Sequence, residues 1–213
     1  MTDAERALSV LIHDVRSPLG VAQGYLRLVR EGRIADAGER DAVLVRTVEA
    51  LGRIGRLCTE AEAFLESGET TATTSARAKD VADRVAAHAR EHGLVVGMRA
   101  IDAEASLRVG AGSDRLAEAV TLLLGTTPKA NDNHTVTICV DDKIPELQFL
   151  RAPDEQIPAL TQATRVSFDP WRRPGLAVAL ACRAITTLGG CVWTAAGAPY
   201  AIAIAIPLES SRT

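Results

Sequence analysis

Along the first thirty residues, apolar side chains recur at Leu8, Ile12, Val15, Leu19, Ala22, Leu26 and Val29. The steps of four and three alternate, the heptad pattern of a helix packed lengthwise on another helix. Glu31-Gly32-Arg33 supplies the stop, since glycine is favoured just past a helix end. After a short polar link from Ala35 to Glu39, a second stripe runs through Thr47, Leu51, Ile54, Cys58, Ala61 and Leu65. Leu44, Val48, Leu57 and Phe64 widen it, and the spacing predicts a helix from about Gly38 to Ser67. A lone hairpin with one apolar stripe per helix has little core. Two hairpins paired as a four-helix bundle bury both stripes. The pattern predicts an all-α hairpin over residues 1–68 that forms a homodimer, the alternative being a hairpin packed on the rest of its own chain.

The pattern changes at Gly68–Ser75, a small polar stretch with four threonines that reads as a linker over residues 69–75. Beyond it, Ala76 to His92 is an alanine-rich amphipathic helix, Leu94 to Ile101 and Ser106 to Val109 read as strands, and Asp114 to Leu124 as a helix. Thr135 to Val140 and Glu146 to Arg151 form a strand pair. Gly175 to Leu188 is a helix, followed by strands at Cys191 to Ala195 and Ala201 to Ile206. The alternation of Ile202, Ile204 and Ile206 has the period of a strand with one buried face. Three helices over one mixed sheet make residues 76–213 an α+β two-layer sandwich.

Composition narrows the function. The chain has 213 residues, 47% of them hydrophobic, enough for one large or two small cores. Its net charge is −3 with no basic stripe, and aromatic residues make up 3%, which argues against a nucleic-acid partner. No apolar run reaches the roughly 18 residues that span a bilayer, and Met1 to Arg6 is polar, so neither a membrane segment nor a signal peptide is expected and the protein reads as cytoplasmic. Cys58, Cys139, Cys182 and Cys191 are scattered and read as buried, reduced thiols. His88 and His92 lie one turn apart, a spacing zinc uses, but no third ligand accompanies them, so no metal site is expected.

The stretch that carries chemistry is His13-Asp14-Val15-Arg16-Ser17-Pro18-Leu19. With Ile12, Val15 and Leu19 inward along the seam, His13 and Asp14 fall toward water. A neutral imidazole is a good nucleophile near neutral pH, and the phosphoramidate it forms is labile enough to pass on. Asp14 can accept a hydrogen bond from one ring nitrogen, which fixes the tautomer and frees the other, or take the proton released in transfer. Pro18 removes one backbone hydrogen bond and is expected to bend the helix just after the histidine.

This stretch resembles the H-box of sensor histidine kinases: histidine, acid, aliphatic, basic, Ser or Thr, Pro, Leu. Every position matches, and Gly24-Tyr25 with Leu26 and Leu28 sit where that family often has Gly-Tyr and leucines. The resemblance implies that His13 is the phosphoacceptor and the hairpin the dimerisation and phosphotransfer domain. Asp14 would be the orienting base, and Arg16, Gly20, Gln23 and Arg27 the docking face for a receiver domain. Ser17 falls where kinases with phosphatase activity usually carry Thr or Asn. Its hydroxyl would either hold a water or bond back to a carbonyl beside Pro18.

The second half resembles the ATP-binding domain of the same kinases, with departures. The helix from Asp114 looks like the one bearing two asparagines four apart, but those places hold Leu122 and Thr126. A leucine cannot ligate Mg²⁺, which demands oxygen. In Ala152 to Pro158 the adenine-reading aspartate falls at Ala152 and the glycines at Asp154 and Gln156; a shift of one or two residues moves Asp154 to the acid position but restores no glycine. Ala177 replaces a glycine of the box opening at Gly175, while Gly189-Gly190 resembles the closing pair. The short lid, from about Pro158 to Gly175, holds Arg165, Arg172 and Arg173, read as solvated arginines. Taken together, the resemblance implies a histidine phosphotransfer protein of a bacterial two-component phosphorelay, without ATP or another cofactor of its own. Receiver aspartates, and the Mg²⁺ bound to them, would come from response regulators or an upstream hybrid kinase. The alternatives are an active kinase with a divergent ATP site and a non-catalytic module that binds response regulators.

Overall fold

The computed structural model describes residues 2–66, 74–99, 101–102, 104–109, 112–126, 134–140, 145–153, 156–157, 160, 165–171, 175–195 and 198–209. It divides into two compact units, one of residues 1–68 with 174–179, the other of residues 69–173 with 180–213.

The first unit is built on two long helices, α1 (Asp3–Arg30) and α2 (Ala37–Glu66), packed along each other. Thr2 and Glu5 form a reciprocal capping box that satisfies two otherwise orphaned N–H groups at the start of α1. Gly32 takes φ +66° after its end, as the glycine stop requires. Asp36 accepts the Glu39 N–H at 2.8 Å and opens α2. The helix runs unbroken through Pro18, whose ring is buried.

The buried stripe of α1 is Ala7, Pro18 and Ala22, not the leucine seam. Leu8, Ile12, Leu19 and Leu26 are exposed. On α2 the buried residues are Val43, Thr47, Leu57 and Phe64, while Leu44, Val48, Leu51 and Leu65 are exposed. Each helix therefore carries two adjacent stripes. The fully buried positions of α1 are small residues and a proline, with Leu11, Val15, Tyr25 and Leu28 half-buried beside them, while Leu8, Ile12, Leu19 and Leu26 fall on the neighbouring face.

In the second unit, β1 (Thr74–Arg77) pairs antiparallel with β3 (Ser106–Val109) as a two-stranded sheet. The other sheet has order β2-β4-β5-β8-β7-β6, from β2 (Val95–Met98), β4 (His134–Val140), β5 (Glu146–Pro153), β6 (Val166–Ser167), β7 (Cys191–Ala195) and β8 (Ala198–Pro207). Only β2 and β4 are parallel, so the sheet is mixed. Helices α3 (Ala78–Glu91) and α4 (Ser113–Gly125) pack on each other and against the sheet. The helix α5 (Leu176–Thr187) lies between β6 and β7 in the chain, its residues 176–179 grouped with the first unit and the rest with the second.

Three expectations change. Ala76 and Arg77 belong to β1, not to the helix, and Thr74 and Ser75 are strand instead of linker. Their partners lie in β3, far downstream in the chain, and the β-favouring Thr74 responds to that pairing. β8 is buried on both faces. Leu147, Phe149 and Arg151 of β5 register with Ile206, Ile204 and Ile202 on one side. On the other, Ala201, Ala203 and Ala205 form a cluster with Cys139, Leu150, Ala152, Leu160 and Trp193, and Ile157 packs against it. The segment after β5 thus covers the second face, and alanines leave room for the indole. Finally, only Cys139 and Cys182 are buried; Cys58 is exposed and Cys191 half-buried. Burial pushes the Cys182 thiol up to about 12.

Candidate functional site

The imidazole of His13 is 81% exposed, while the Asp14 side chain beside it is only 16% exposed. His13 Nδ1 lies 3.1 Å from Asp14 Oδ1. With Nδ1–H as donor, Nε2 carries the lone pair on a ring open to water. Asp14 is not on the water side, as the seam suggested; it is tucked in, because the buried stripe lies one position from the predicted one. A half-buried carboxylate holding the inner ring nitrogen is a more rigid orienter than a solvated one.

Sequence reasoning missed Glu60, a half-buried residue of α2. Burial pushes its carboxyl above the ordinary range; Arg56 opposes the shift and the negative charge of Asp14 adds to it. Two acids therefore share one electrostatic neighbourhood in the hairpin. The available signal was an acid interrupting the run from Leu57 to Ala61 on the buried side of α2.

Arg16, Ser17, Gly20, Gln23 and Arg27 are all exposed, and with His13 they recur at steps of three and four, one face of α1. The Ser17 hydroxyl makes no hydrogen bond among the described residues, so its bond back to a carbonyl is not formed. A Cβ added at Gly20 or Gly24 meets nothing within 4 Å. Neither glycine is required by its own chain, although each costs a helix about 1 kcal/mol against alanine.

In the second unit, Leu122 is exposed on α4. Thr126 caps that helix, its hydroxyl donating to Leu123 O at 2.7 Å. Ala152 lies in the apolar cluster on the second face of the sheet. From β5, the Arg151 side chain reaches α4 and donates from Nη1 to Leu124 O. Ala177, on the part of α5 that groups with the first unit, is half-buried. Asp154, Arg172 and Arg173 lie outside the described residues. Arg165 is not a freely solvated arginine. Its two guanidinium nitrogens contact Glu146 at 2.8 and 3.4 Å, its carbon lies 4.3 Å from the Trp193 ring centroid, and Cys191 Sγ is 3.4 Å away. Trp193 Nε1 in turn donates to Leu160 O at 3.2 Å. His88 and His92 stack with ring centroids 5.1 Å apart, and His92 Nδ1 donates to His88 O at 2.9 Å. Among the described residues no group of three potential metal ligands occurs, and no helix is long and apolar enough to cross a membrane.

No family model and no curated protein sequence matches the chain. Among solved structures it is similar to the histidine kinase AdeS of Acinetobacter baumannii, with a TM-score of 0.61 and 14% identity over 92% of this chain and 97% of that one. Lower scores relate it to full-length ShkA in complex with AMPPNP (0.47, 16% identity, 100% of this chain and 47% of that one) and to the mycobacterial sensor histidine kinase MprB (0.38, 18% identity, 65% and 99%). The chain thus has the fold of a sensor histidine kinase core.

Proposed function

We propose that this chain is a homodimeric histidine phosphotransfer protein of the two-component type, carrying a phosphoryl group on His13 Nε2. The single observation behind this reading is the open imidazole with its inner nitrogen bonded to a shielded carboxylate. Nε2 attacks the phosphorus of a receiver aspartyl phosphate. The P–N bond forms as the acyl P–O bond breaks, and the carboxylate leaves on the receiver. Nδ1 keeps its proton, so the ring becomes cationic and Asp14 neutralises it across the existing hydrogen bond. The Mg²⁺ at the aspartate belongs to the receiver.

The partner docks on the face of Arg16, Gly20, Gln23 and Arg27, where two open glycines permit close approach. The exposed stripe of Leu8, Ile12, Leu19 and Leu26 with Leu44, Val48, Leu51 and Leu65 pairs with its copy in a second chain, since so much exposed apolar surface on one face marks an interface.

The nucleotide positions support a protein that receives its phosphate from others. Leu122 offers no oxygen, the Thr126 hydroxyl is engaged by its own helix, and Ala152 faces an apolar cluster. Beside Ala152 on β5, a buried guanidinium, that of Arg151, is directed to the last turn of α4. These residues do not fit ATP with Mg²⁺. Incubation with a phosphorylated receiver tests the reading: label appears on the wild-type chain and not on His13→Gln. Complex formation without label would favour a binding module, and micromolar ATP affinity an active kinase.

A further inference from the structure

Arg151 is the only fully buried charged residue among the described residues, with 3% exposure. Its neighbours across the sheet are Val136 and Ile202, both without exposure. Its Nη1 donates to Leu124 O in the last turn of α4, while its Nε is buried with no partner. Burial lowers the pKa of the guanidinium, and among the described residues no carboxylate counters it. One turn earlier on α4, Thr121 is also buried and its hydroxyl has no partner.

A guanidinium does not give up its proton to escape such a place. A buried charge left uncompensated costs several kcal/mol, and a helix C-terminus offers only about half a negative charge. Because Nη1 is engaged, the free edge of the group is the one formed by Nε and Nη2. That side-on fork pairs with two oxygens of one carboxylate or phosphate. Thr121, three residues before Leu124, lies on the same side of α4.

We propose that the junction of β5 and α4 binds a small oxyanion, held by Nε and Nη2 of Arg151 with Thr121 Oγ1 as a further donor. The site takes a carboxylate or a phosphoryl group, and it does not depend on phosphorylation of His13.

Thermal unfolding of the full chain in sodium phosphate, sodium acetate and sodium chloride at matched ionic strength tests it. The midpoint is expected to rise with the logarithm of oxyanion concentration above the chloride curve. A larger rise in phosphate assigns a phosphoryl ligand; a larger rise in acetate assigns a carboxylate. The rise disappears in Arg151→Met, and Thr121→Val needs roughly tenfold more anion for the same rise, the loss of one bond to a charged group. On the wild-type chain, the Arg151 Nε–Hε nuclear magnetic resonance signal moves along the same saturation curve, which serves if the methionine variant fails to fold. Coincident midpoints in all three salts with an unmoved resonance, or a rise that persists in Arg151→Met, overturns the proposal.

Discussion

The Nδ1–H of His13 reaches Asp14 Oδ1 across 3.1 Å, from an open ring to a shielded acid. The pair separates two roles that substitution can tell apart. His13→Gln removes the acceptor and abolishes transfer from a phosphorylated receiver. Asp14→Asn keeps the shape but not the charge, so the rate is expected to fall by about 10²-fold, the low end for loss of a positioned acid–base group. Phosphoryl label measured against time on both variants checks this.

Glu60 gives a stability signature. Its folded pKa lies above the ordinary value, so the folded chain holds the proton to higher pH than the unfolded one. Its stabilising contribution is therefore full below the unfolded pKa and is lost as pH rises through the folded one. Glu60→Gln is expected to melt higher than wild type near neutral pH, with the advantage vanishing in acid. Melting curves across that range decide it; an equal difference at every pH would contradict the assignment.

Gly20 and Gly24 separate folding from docking. Alanine at Gly24 meets no atom within 4 Å and should stabilise the helix by about 0.5–1 kcal/mol. Leucine at Gly20 starts from an equally open Cβ position, yet it protrudes from the face that carries His13, two turns along α1, and is expected to slow transfer at least tenfold while the melting temperature holds or rises. Denaturant titration paired with the transfer assay reads both effects.

Leu51 lies on the exposed stripe of α2. In a paired bundle it is buried once per chain, each burial contributing about 1.5–3 kcal/mol. Leu51→Glu should weaken the dimer by at least 100-fold, observed as a monomer by light scattering, with helical content unchanged at low temperature. A wild-type chain that is already monomeric would remove the dimer.

Gly190 has the opposite sign from Gly24. A Cβ there would approach Ala205 O to 2.5 Å and Ile185 Cγ2 to 2.8 Å. Backbone cannot yield as a flexible side chain does, so Gly190→Ala is expected to destabilise the second unit by about 1–3 kcal/mol in a denaturant titration.

The hairpin was legible because helix periodicity is local. The stripes, the glycine at Gly32 and the box from His13 to Leu19 are all read within a few turns. The same was true of the segments around Asp114, Cys191 and Ile202, whose alternation or periodicity needs no partner. Local sequence also marked His13 as the candidate reactive group, through its immediate neighbours.

Which stripe is buried needed the packed structure. Ile12 and Leu19 look inward by hydrophobicity, but packing on α2 buries Ala7, Pro18 and Ala22 of α1 and leaves Ile12 and Leu19 exposed. That choice turned Asp14 inward and gave it Glu60 as a neighbour. The strand at Thr74, the cover over Ala203 and the engagement of Arg165 by Glu146 and Trp193 likewise depend on residues distant in the chain. Periodicity reports that a side chain will be buried or exposed on one element; only contacts between elements decide what it meets, and so what its charge is worth.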